Sequence, residues 1–345
     1  MTIQAWNAEI EQEARKYQNT LTKPQGSLGQ LEDIACWFAA RQGKHIPDKL
    51  VPHIAIFAAD HGVTEEGISA FPSVVTTEML KNFSQGGAAI NVLAKQAAAT
   101  LSIIDVGVLL DTQNIQGITH AKVRAGTANL KIEPAMTTDE CTQAIQVGRQ
   151  EAKQAIANGA NILIAGDMGI GNTTASACLI CLFTQKKPED IVGSGTGIDA
   201  KTQTHKVEVV QQALKRIRDQ GIKTEDYLAH VGGLEIAAIT GFYLEAAEQG
   251  IPILLDGFIT TAAALAAQQH EPHIQQWMLA SHQSQEQGHA IALKKLQLSP
   301  LLHLQLRLGE GSGAALTLPL LQSAIALHRE MATFESANVS DKDPI

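Results

Sequence analysis

The sequence predicts an α/β fold in which helices flank a parallel sheet. Short apolar runs without polar alternation recur between residues 51 and 310, and helical stretches separate them. Runs of this kind suit strands that are covered on both faces, as in a parallel sheet. They end in an acid beside a glycine, which places acidic side chains at the strands' carboxyl ends, where open α/β sheets bind ligands. The 345 residues, 45% hydrophobic and 18% charged, are ample for a large core.

The chain divides into three zones. Residues 1–50 look helical, and 31–40 is their clearest amphipathic segment. Residues 51–310 alternate strands with helices, which indicates β-α-β units. The predicted strands are 54–58, 101–104, 161–165, 251–255 and 302–308, and the predicted helices between them are 74–83, 88–98, 139–157, 174–183, 206–220, 234–248 and 260–269. After residue 310 the chain is predicted to be helical to about residue 334, with a kink or restart at Pro319.

Acidic residues follow each predicted strand, and all could border one crevice. They are Asp60, Asp105, Asp167, Asp256 and Glu310. Glu310 is the first candidate for catalysis because it stands in a run of glycines, which lets the backbone approach a ligand closely. A helix opening at Ser312 would direct unpaired N–H groups into the same space, where an anion could rest. Ser312 is predicted to cap that helix rather than to act as a nucleophile.

A second glycine-rich turn, residues 166–174, links a strand to a helix. Its N–H groups could bind a phosphate, although no lysine follows the last glycine as a P-loop requires. A turn without a ligand remains the alternative. A further glycine cluster at 193–197, with Lys206 just beyond it, favours a phosphorylated ligand.

Composition excludes several classes of function. A net charge of -9 argues against a nucleic-acid partner. The polar, acidic N-terminus does not resemble a signal peptide, and no apolar stretch is long enough to span a membrane, so we expect a cytoplasmic protein. Cys178 and Cys181 match C-x-x-C formally, but they lie in a helical pattern without a second pair, which predicts buried thiols.

Several sequence blocks resemble one enzyme family, and they occur in order over nearly the whole chain. The blocks are residues 22–32, 59–63, 86–91, 169–174, 255–258 and 307–314. They are similar to nicotinate-nucleotide:5,6-dimethylbenzimidazole phosphoribosyltransferases. The resemblance implies transfer of a 5-phosphoribosyl group from nicotinate mononucleotide to 5,6-dimethylbenzimidazole, with inversion at C1′, which gives nicotinate and the α-ribazole 5′-phosphate of the cobalamin nucleotide loop.

The resemblance also implies an architecture. It predicts a homodimer with a parallel Rossmann-like sheet, in which residues 51–310 form the large catalytic domain. Residues 1–50 and 311–345 would form a small helical domain. No metal and no organic cofactor would take part, and no nucleic acid or membrane would be a partner.

Site residues follow from the matching blocks. Glu310 would be the general base, and Asp167, which replaces a glutamate of one branch of the family, would lie near the reacting centre. Glu235 replaces an aspartate of that branch. The phosphate and ribose would be bound by Gly169, Gly171, Asn172, Thr173, Gly195, Lys206, Gly309, Gly311, Ser312 and Gly313. Phe71 and Met79 would line an acceptor pocket more apolar than in that branch, which predicts tolerance for benzimidazoles without polar substituents.

The chemistry that the resemblance implies is compatible with a single carboxylate. A benzimidazole nitrogen must lose its proton as the other ring nitrogen attacks the sugar, and a base near flat apolar rings should have a raised pKa. Two other functions stay open from the residues alone. One is a hydrolase in which Asp60, His61, Asp105, Asp256 and Glu310 gather divalent metals. The other is a protein that binds a nucleotide without turnover.

Some residues have structural alternatives. Asp60 and His61 are expected in a hydrogen-bonded turn rather than in a metal site. Asp256 could orient ribose hydroxyls or cap the following helix. Ser281 and His282 are interpreted as structural or peripheral.

Overall fold

One parallel sheet of seven strands forms the centre of the molecule. The computed structural model describes residues 3, 5–193, 195 and 197–340. Within them the strand order is β3-β2-β1-β4-β5-β6-β7. The strands are β1 Pro52–Ala59, β2 Thr100–Gly107, β3 Thr119–His120, β4 Ile162–Met168, β5 Ile253–Leu255, β6 Met278–His282 and β7 Pro300–Leu302.

Helices cover both faces of this sheet. They are α1 Ala8–Gln18, α2 Gln30–Gln42, α3 Val74–Ser84, α4 Ala89–Gln96, α5 Thr138–Ala157, α6 Asn172–Thr184, α7 Pro188–Ile191, α8 Ala200–Asp219, α9 Tyr227–Val231, α10 Leu234–Glu248, α11 Phe258–His270, α12 His289–Lys295 and α13 Ser312–Glu330. Short 3₁₀ turns span Gly62–Glu66, Thr224–Asp226 and Ile274–Trp277. No helix among the described residues is long and apolar enough to cross a bilayer.

Side chains of β1 point alternately into two cores, because successive strand residues face opposite sides of a sheet. Ala55, Phe57 and Ala59 belong to the core that includes residues of α5, α6, α10 and α11. Ile54 and Ile56 belong to the other core, which includes residues of α2, α4 and α13. The whole of β1 is therefore buried, as the unbroken apolar run predicted.

Helices from both ends of the chain pack together. Gln18 Nε2 in α1 lies 2.7 Å from His328 Nδ1 in α13, and Leu21 forms an antiparallel bridge with Thr333. The loop before α2 is held by Lys23, whose ammonium donates to Glu32 Oε1 at 2.8 Å with both side chains nearly buried. Because α2 and α13 also contribute to a sheet core, the division into two domains stays a prediction.

Three predictions of secondary structure are wrong. The strand expected at 302–308 ends at Leu302, because Gln305 has a left-handed φ of 58° that breaks an extended chain. The last helix does not restart at Pro319, since α13 continues through it and buries Ala315, Leu318 and Leu321 on either side. The strand β6 was not predicted at all, so the residues at its carboxyl end were not recognised as site candidates.

Candidate active site

Three of the five predicted acids meet at the carboxyl end of the sheet. Asp167 lies at the end of β4, Asp256 directly follows β5, and Glu310 lies two residues before α13. A Cβ placed on Gly309 would lie 3.3 Å from Asp167 Oδ1, and Asp256 Oδ2 accepts a hydrogen bond from Gly311 N–H at 3.1 Å. The two residues that flank Glu310 therefore touch the other two acids.

The remaining two acids, Asp60 and Asp105, accept hydrogen bonds from neighbouring segments of the chain. Asp105 accepts hydrogen bonds from Val108 N–H at 2.8 Å and from the Thr112 hydroxyl. Asp60 accepts from the Thr76 hydroxyl at 2.6 Å and from Leu109 N–H at 2.8 Å. Asp105 therefore holds the loop after β2, and Asp60 holds both that loop and helix α3. The prediction that all five acids border one crevice is wrong for Asp105, which belongs to the opposite half of the sheet.

Glu310 occupies a left-handed turn. The φ angles of Gly309, Glu310 and Gly311 are 82°, 62° and 80°. A non-glycine residue in this conformation costs roughly 1–2 kcal/mol, so the surrounding structure must hold it. Gly166 in β4 makes room for the turn, since a Cβ there would lie 2.6 Å from the carbonyl carbon and oxygen of Glu310.

The Glu310 carboxyl group is suited to accept a proton near neutral pH. Its side chain is buried, with only 6% of the residue exposed. Burial, followed by the negative charge of Asp256, raises the pKa of Glu310 to about 7. Oε2 is buried and has no hydrogen-bond partner among the described residues. This oxygen can therefore receive a donor from a bound molecule.

The start of α13 is already occupied by a carboxylate. Asp256 accepts from Gly311 N–H and, at 2.9 Å, from Ala314 N–H, while Ser312 N–H donates to the Gly309 carbonyl. The expectation of unpaired N–H groups there is wrong for these three residues. Ser312 is the first helical residue, the cap is Gly311, and no side chain of the helix caps it, so the predicted capping role of Ser312 is wrong as well.

The second glycine-rich turn brings a cation to the start of α6. Gly171 caps this helix with a φ of 98°, a conformation that favours glycine. The Lys206 ammonium, on α8, donates to Thr173 Oγ1 at 2.6 Å, and a Cβ on Gly195 would lie 3.3 Å from Lys206 Nζ. Ser194 and Thr196 of the same cluster lie outside the described residues.

Lys206 is buried, and no carboxylate of the described residues forms a salt bridge with it. Burial lowers its pKa to about 8, and Glu286 opposes that shift from nearby. The ammonium is therefore still charged at pH 7, in a buried setting where an anion would be strongly attracted.

Asp167 faces the same space from β4. Asn172 Nδ2 donates to Asp167 Oδ2 at 2.9 Å. Burial and the neighbouring Asp256 raise the pKa of Asp167 well above its ordinary value. Asp167 thus links the turn at the start of α6 to the turn that carries Glu310.

A cavity of about 80 Å³ lies at this edge of the sheet, and Asp167 and Gly309 line it whereas Glu310 and Lys206 do not. Its lining is Asp167, Asn172, Thr173, Gly195, Gly257, Phe258, Ile259, His282, Ser284, Glu286, Arg307, Leu308 and Gly309. A neighbouring smaller cavity is lined by residues that include Gly169, Gly171 and Lys206. Phe71 and Met79 belong to neither lining. Phe71 is exposed two residues beyond Ser69, which borders the smaller cavity, and Met79 packs against a core from α3.

Two titratable residues of this cavity were not predicted as site residues from the sequence. His282 was interpreted as structural or peripheral, but it is buried at the end of β6 and lines the cavity. Glu286 follows in the next loop, and burial raises its pKa. A prediction of β6 would have pointed to His282, because strand ends of a parallel sheet share one edge.

A buried hydrogen bond between a histidine and a glutamate lies beside the second glycine-rich turn. His61 Nε2 lies 2.7 Å from Glu235 Oε1, and neither side chain is exposed. A Cβ on Gly169 would lie 3.4 Å from the same His61 nitrogen. Asp60 and His61 are thus in a hydrogen-bonded arrangement, as predicted. The described residues contain no group of at least three His, Cys, Asp or Glu residues placed to hold a metal ion.

Comparisons with known proteins agree over the whole chain. A family model described as phosphoribosyltransferase matches residues 3–339. A nicotinate-nucleotide–dimethylbenzimidazole phosphoribosyltransferase from Chromobacterium violaceum is 56% identical over 329 residues, which cover 95% of each chain. One of the same name from Pseudomonas fluorescens is 47% identical over 98% of this chain and 96% of its own.

Solved structures show the same fold. The crystal structure of CobT from Thermus thermophilus is 45% identical and superimposes with a TM-score of 0.93 over 97% of this chain and 100% of that chain. A second structure from Thermus thermophilus, titled as the nicotinate-nucleotide–dimethylbenzimidazole enzyme, gives a TM-score of 0.92 at 44% identity.

Proposed function

Because the chain belongs to this phosphoribosyltransferase family, we propose that it moves the 5-phosphoribosyl group of nicotinate mononucleotide to 5,6-dimethylbenzimidazole. The products would be nicotinate and α-ribazole 5′-phosphate, a precursor of the cobalamin nucleotide loop. The chain is a phosphoribosyltransferase, and the proposal concerns its donor, its acceptor and the residues that act.

Glu310 acts as the general base of this reaction. One ring nitrogen of the acceptor attacks C1′ of the ribose while Glu310 removes the proton from the other ring nitrogen. The bond from C1′ to the nicotinate nitrogen breaks, and its electron pair neutralises the positive charge of that nitrogen. The leaving group therefore needs no proton, and one carboxylate is sufficient.

Lys206 and Thr173 bind the 5′-phosphate. The buried ammonium and the hydroxyl lie 2.6 Å apart beside the glycines of two turns, which allow close approach of an anion. Asp167, between this pair and Glu310, lies where the ribose would span the cavity. Burial favours the neutral form of Asp167, but the positive charge that develops on the sugar would favour its ionised form, which would in turn stabilise the oxocarbenium-like transition state.

Inversion at C1′ follows from attack on the face opposite nicotinate, which turns a β linkage into an α linkage. The acceptor must then lie on the Glu310 side of the ribose and nicotinate on the other. We assign the acceptor pocket to the region of Phe71 and Met79. Its apolar character favours benzimidazoles without polar substituents, and a measured preference for hydroxylated acceptors would contradict this assignment.

The observation that carries the proposal is the free Oε2 of a buried Glu310 whose pKa lies at about 7. The purified protein should release nicotinate from nicotinate mononucleotide only when dimethylbenzimidazole is present. Chromatography should show one ribazole phosphate for each nicotinate, and proton NMR should identify the α anomer. Nicotinate release without the acceptor would indicate hydrolysis, and a β product would exclude inversion.

A homodimer and a cytoplasmic location remain parts of this proposal. Sedimentation of the purified protein at several concentrations tests the first, with twice the 36.8 kDa chain mass as the expected result. A monomer over the whole range would contradict it.

A further inference from the structure

The Asp256 carboxylate takes the place of the capping side chain that α13 lacks. The cap residue Gly311 has no side chain to accept the first N–H groups of the helix, and its φ of 80° favours glycine at this position. Helices usually satisfy these groups with a capping side chain and a second acceptor three residues later. Here both acceptors are oxygens of Asp256, at 3.1 Å from Gly311 N and 2.9 Å from Ala314 N.

Asp256 is itself fixed in place. It follows β5, is 1% exposed and sits where the partial positive charge of the α13 N-terminus favours a carboxylate. The His282 ring from β6 packs against the same first turn, since a Cβ on Gly313 would lie 2.2 Å from His282 Nδ1. His282 and the N–H groups favour the ionised form of Asp256, opposing the burial that raises its pKa.

We propose that Asp256 is a positioning residue for Glu310: its carboxylate locks the first turn of α13 and thereby holds the strained left-handed turn that presents Glu310. The inference rests on the proposed function of Glu310. The two hydrogen bonds end at Gly311 and Ala314, immediately after the turn, so their loss would release the turn where it is strained.

The same carboxylate also acts on Glu310 through its charge. Asp256 is the charged neighbour that raises the pKa of Glu310 in addition to burial. The charge of Asp256 also raises the pKa of Asp167 on β4 and of Tyr243 on α10. His282 on β6 acts on Asp256 itself and lowers its pKa. Asp256 therefore both positions Glu310 and helps to raise its pKa to near neutral pH.

The test compares Asp256→Asn with Asp105→Asn. Asp105 is a matched control, since it is also a buried acid at the carboxyl end of the same sheet. It accepts an N–H at 2.8 Å and a hydroxyl, but from the loop after β2. Glutamate labelled with carbon-13 at the side-chain carboxyl reports the titration of Glu310 by NMR, and Glu310→Gln identifies the signal. Steady-state kinetics gives kcat and the donor KM of each variant.

Asp256→Asn should lower the Glu310 titration midpoint by about one pH unit and reduce kcat about tenfold or more, with little change in the donor KM. Asp105→Asn should change neither. An unshifted midpoint, or equal losses of kcat in both variants, would overturn the inference. If Asp256→Asn does not fold, Asp256→Glu keeps the charge. It should keep the raised midpoint and lose kcat because the turn is displaced, whereas wild-type kcat would overturn the inference.

The NMR result separates this inference from the proposed function. If Glu310→Gln retained full activity, the base would lie elsewhere and the proposed function would fail. A shifted titration midpoint of Glu310 in Asp256→Asn would still support the inference that Asp256 positions this turn.

Discussion

Glu310 combines features that rarely coincide in one side chain. It is buried, it has a left-handed backbone, and one of its oxygens has no partner among the described residues. A solvent-exposed glutamate would be ionised and hydrated at pH 7, and its weak basicity would help little. With a pKa of about 7, Glu310 is ionised in part of the population and still basic enough to accept a ring proton.

The pH dependence of kcat/KM for the donor should therefore be bell-shaped. Activity should rise as pH increases through about 7, because Glu310 must lose its proton before it can act. It should fall above about 8, because Lys206 then loses the charge that binds the phosphate. Initial rates between pH 5 and 10, in buffers of constant ionic strength, measure both limbs.

Lys206→Gln is the control for the alkaline limb. This variant should have a raised donor KM and no fall above pH 8, while the acid limb stays in place. A fall at the same pH in the variant would assign the alkaline limb to another group.

At the scale of elements, the site depends on how closely two backbones can approach. The turn at Glu310 lies directly on β4, and Gly166 is the residue that permits the contact. Gly169 plays the same part where the second turn passes the end of β1, since a Cβ there would lie 2.3 Å from the Ala59 carbonyl oxygen. The glycines thus set the spacing of the site, and the acids supply its chemistry.

Gly166→Ala should damage both the turn and the sheet. Its new methyl group would lie 2.6 Å from the Glu310 backbone, so the turn must move. We expect kcat to fall sharply and the free energy of unfolding to drop by roughly 1–3 kcal/mol. Urea denaturation and steady-state kinetics measure the two effects.

Gly257→Ala provides a comparison for stability. A methyl group there would have nothing closer than 3.9 Å, and its φ of -104° lies outside the left-handed region that favours glycine. This variant should unfold at nearly the wild-type urea concentration. Equal destabilisation by both substitutions would contradict the importance of the contact at Gly166.

At the scale of the molecule, much of the fold could be predicted from patterns within single segments. Buried strands such as β1 and β4 contain continuous apolar runs, and α10 was predicted at its observed bounds, Leu234–Glu248. Segments whose conformation depends on distant neighbours could not be predicted. The path of residues 303–308 depends on a left-handed Gln305, and β6 is short and ends in polar residues.

The candidate site divides along the same line. Asp167, Asp256 and Glu310 could be predicted to meet because each lies at a strand end or a glycine turn. The cap that Asp256 provides for α13 could not be predicted. Asp256 and Ala314 are distant in sequence, and only the folded chain shows that α13 has no capping side chain of its own. His282 and Glu286 were missed because β6 was missed.

The central claim is that Glu310 removes the acceptor proton, and turnover by Glu310→Gln tests it most directly. The glutamine keeps the shape of the side chain and cannot accept the proton. The exposed Glu225→Gln is the matched control, and calorimetry measures nicotinate mononucleotide binding by each variant. Glu310→Gln should lower kcat by roughly 10²–10⁴-fold with unchanged donor affinity, while Glu225→Gln should match wild type. A kcat for Glu310→Gln within about threefold of wild type would contradict the account, since a general base contributes far more than that.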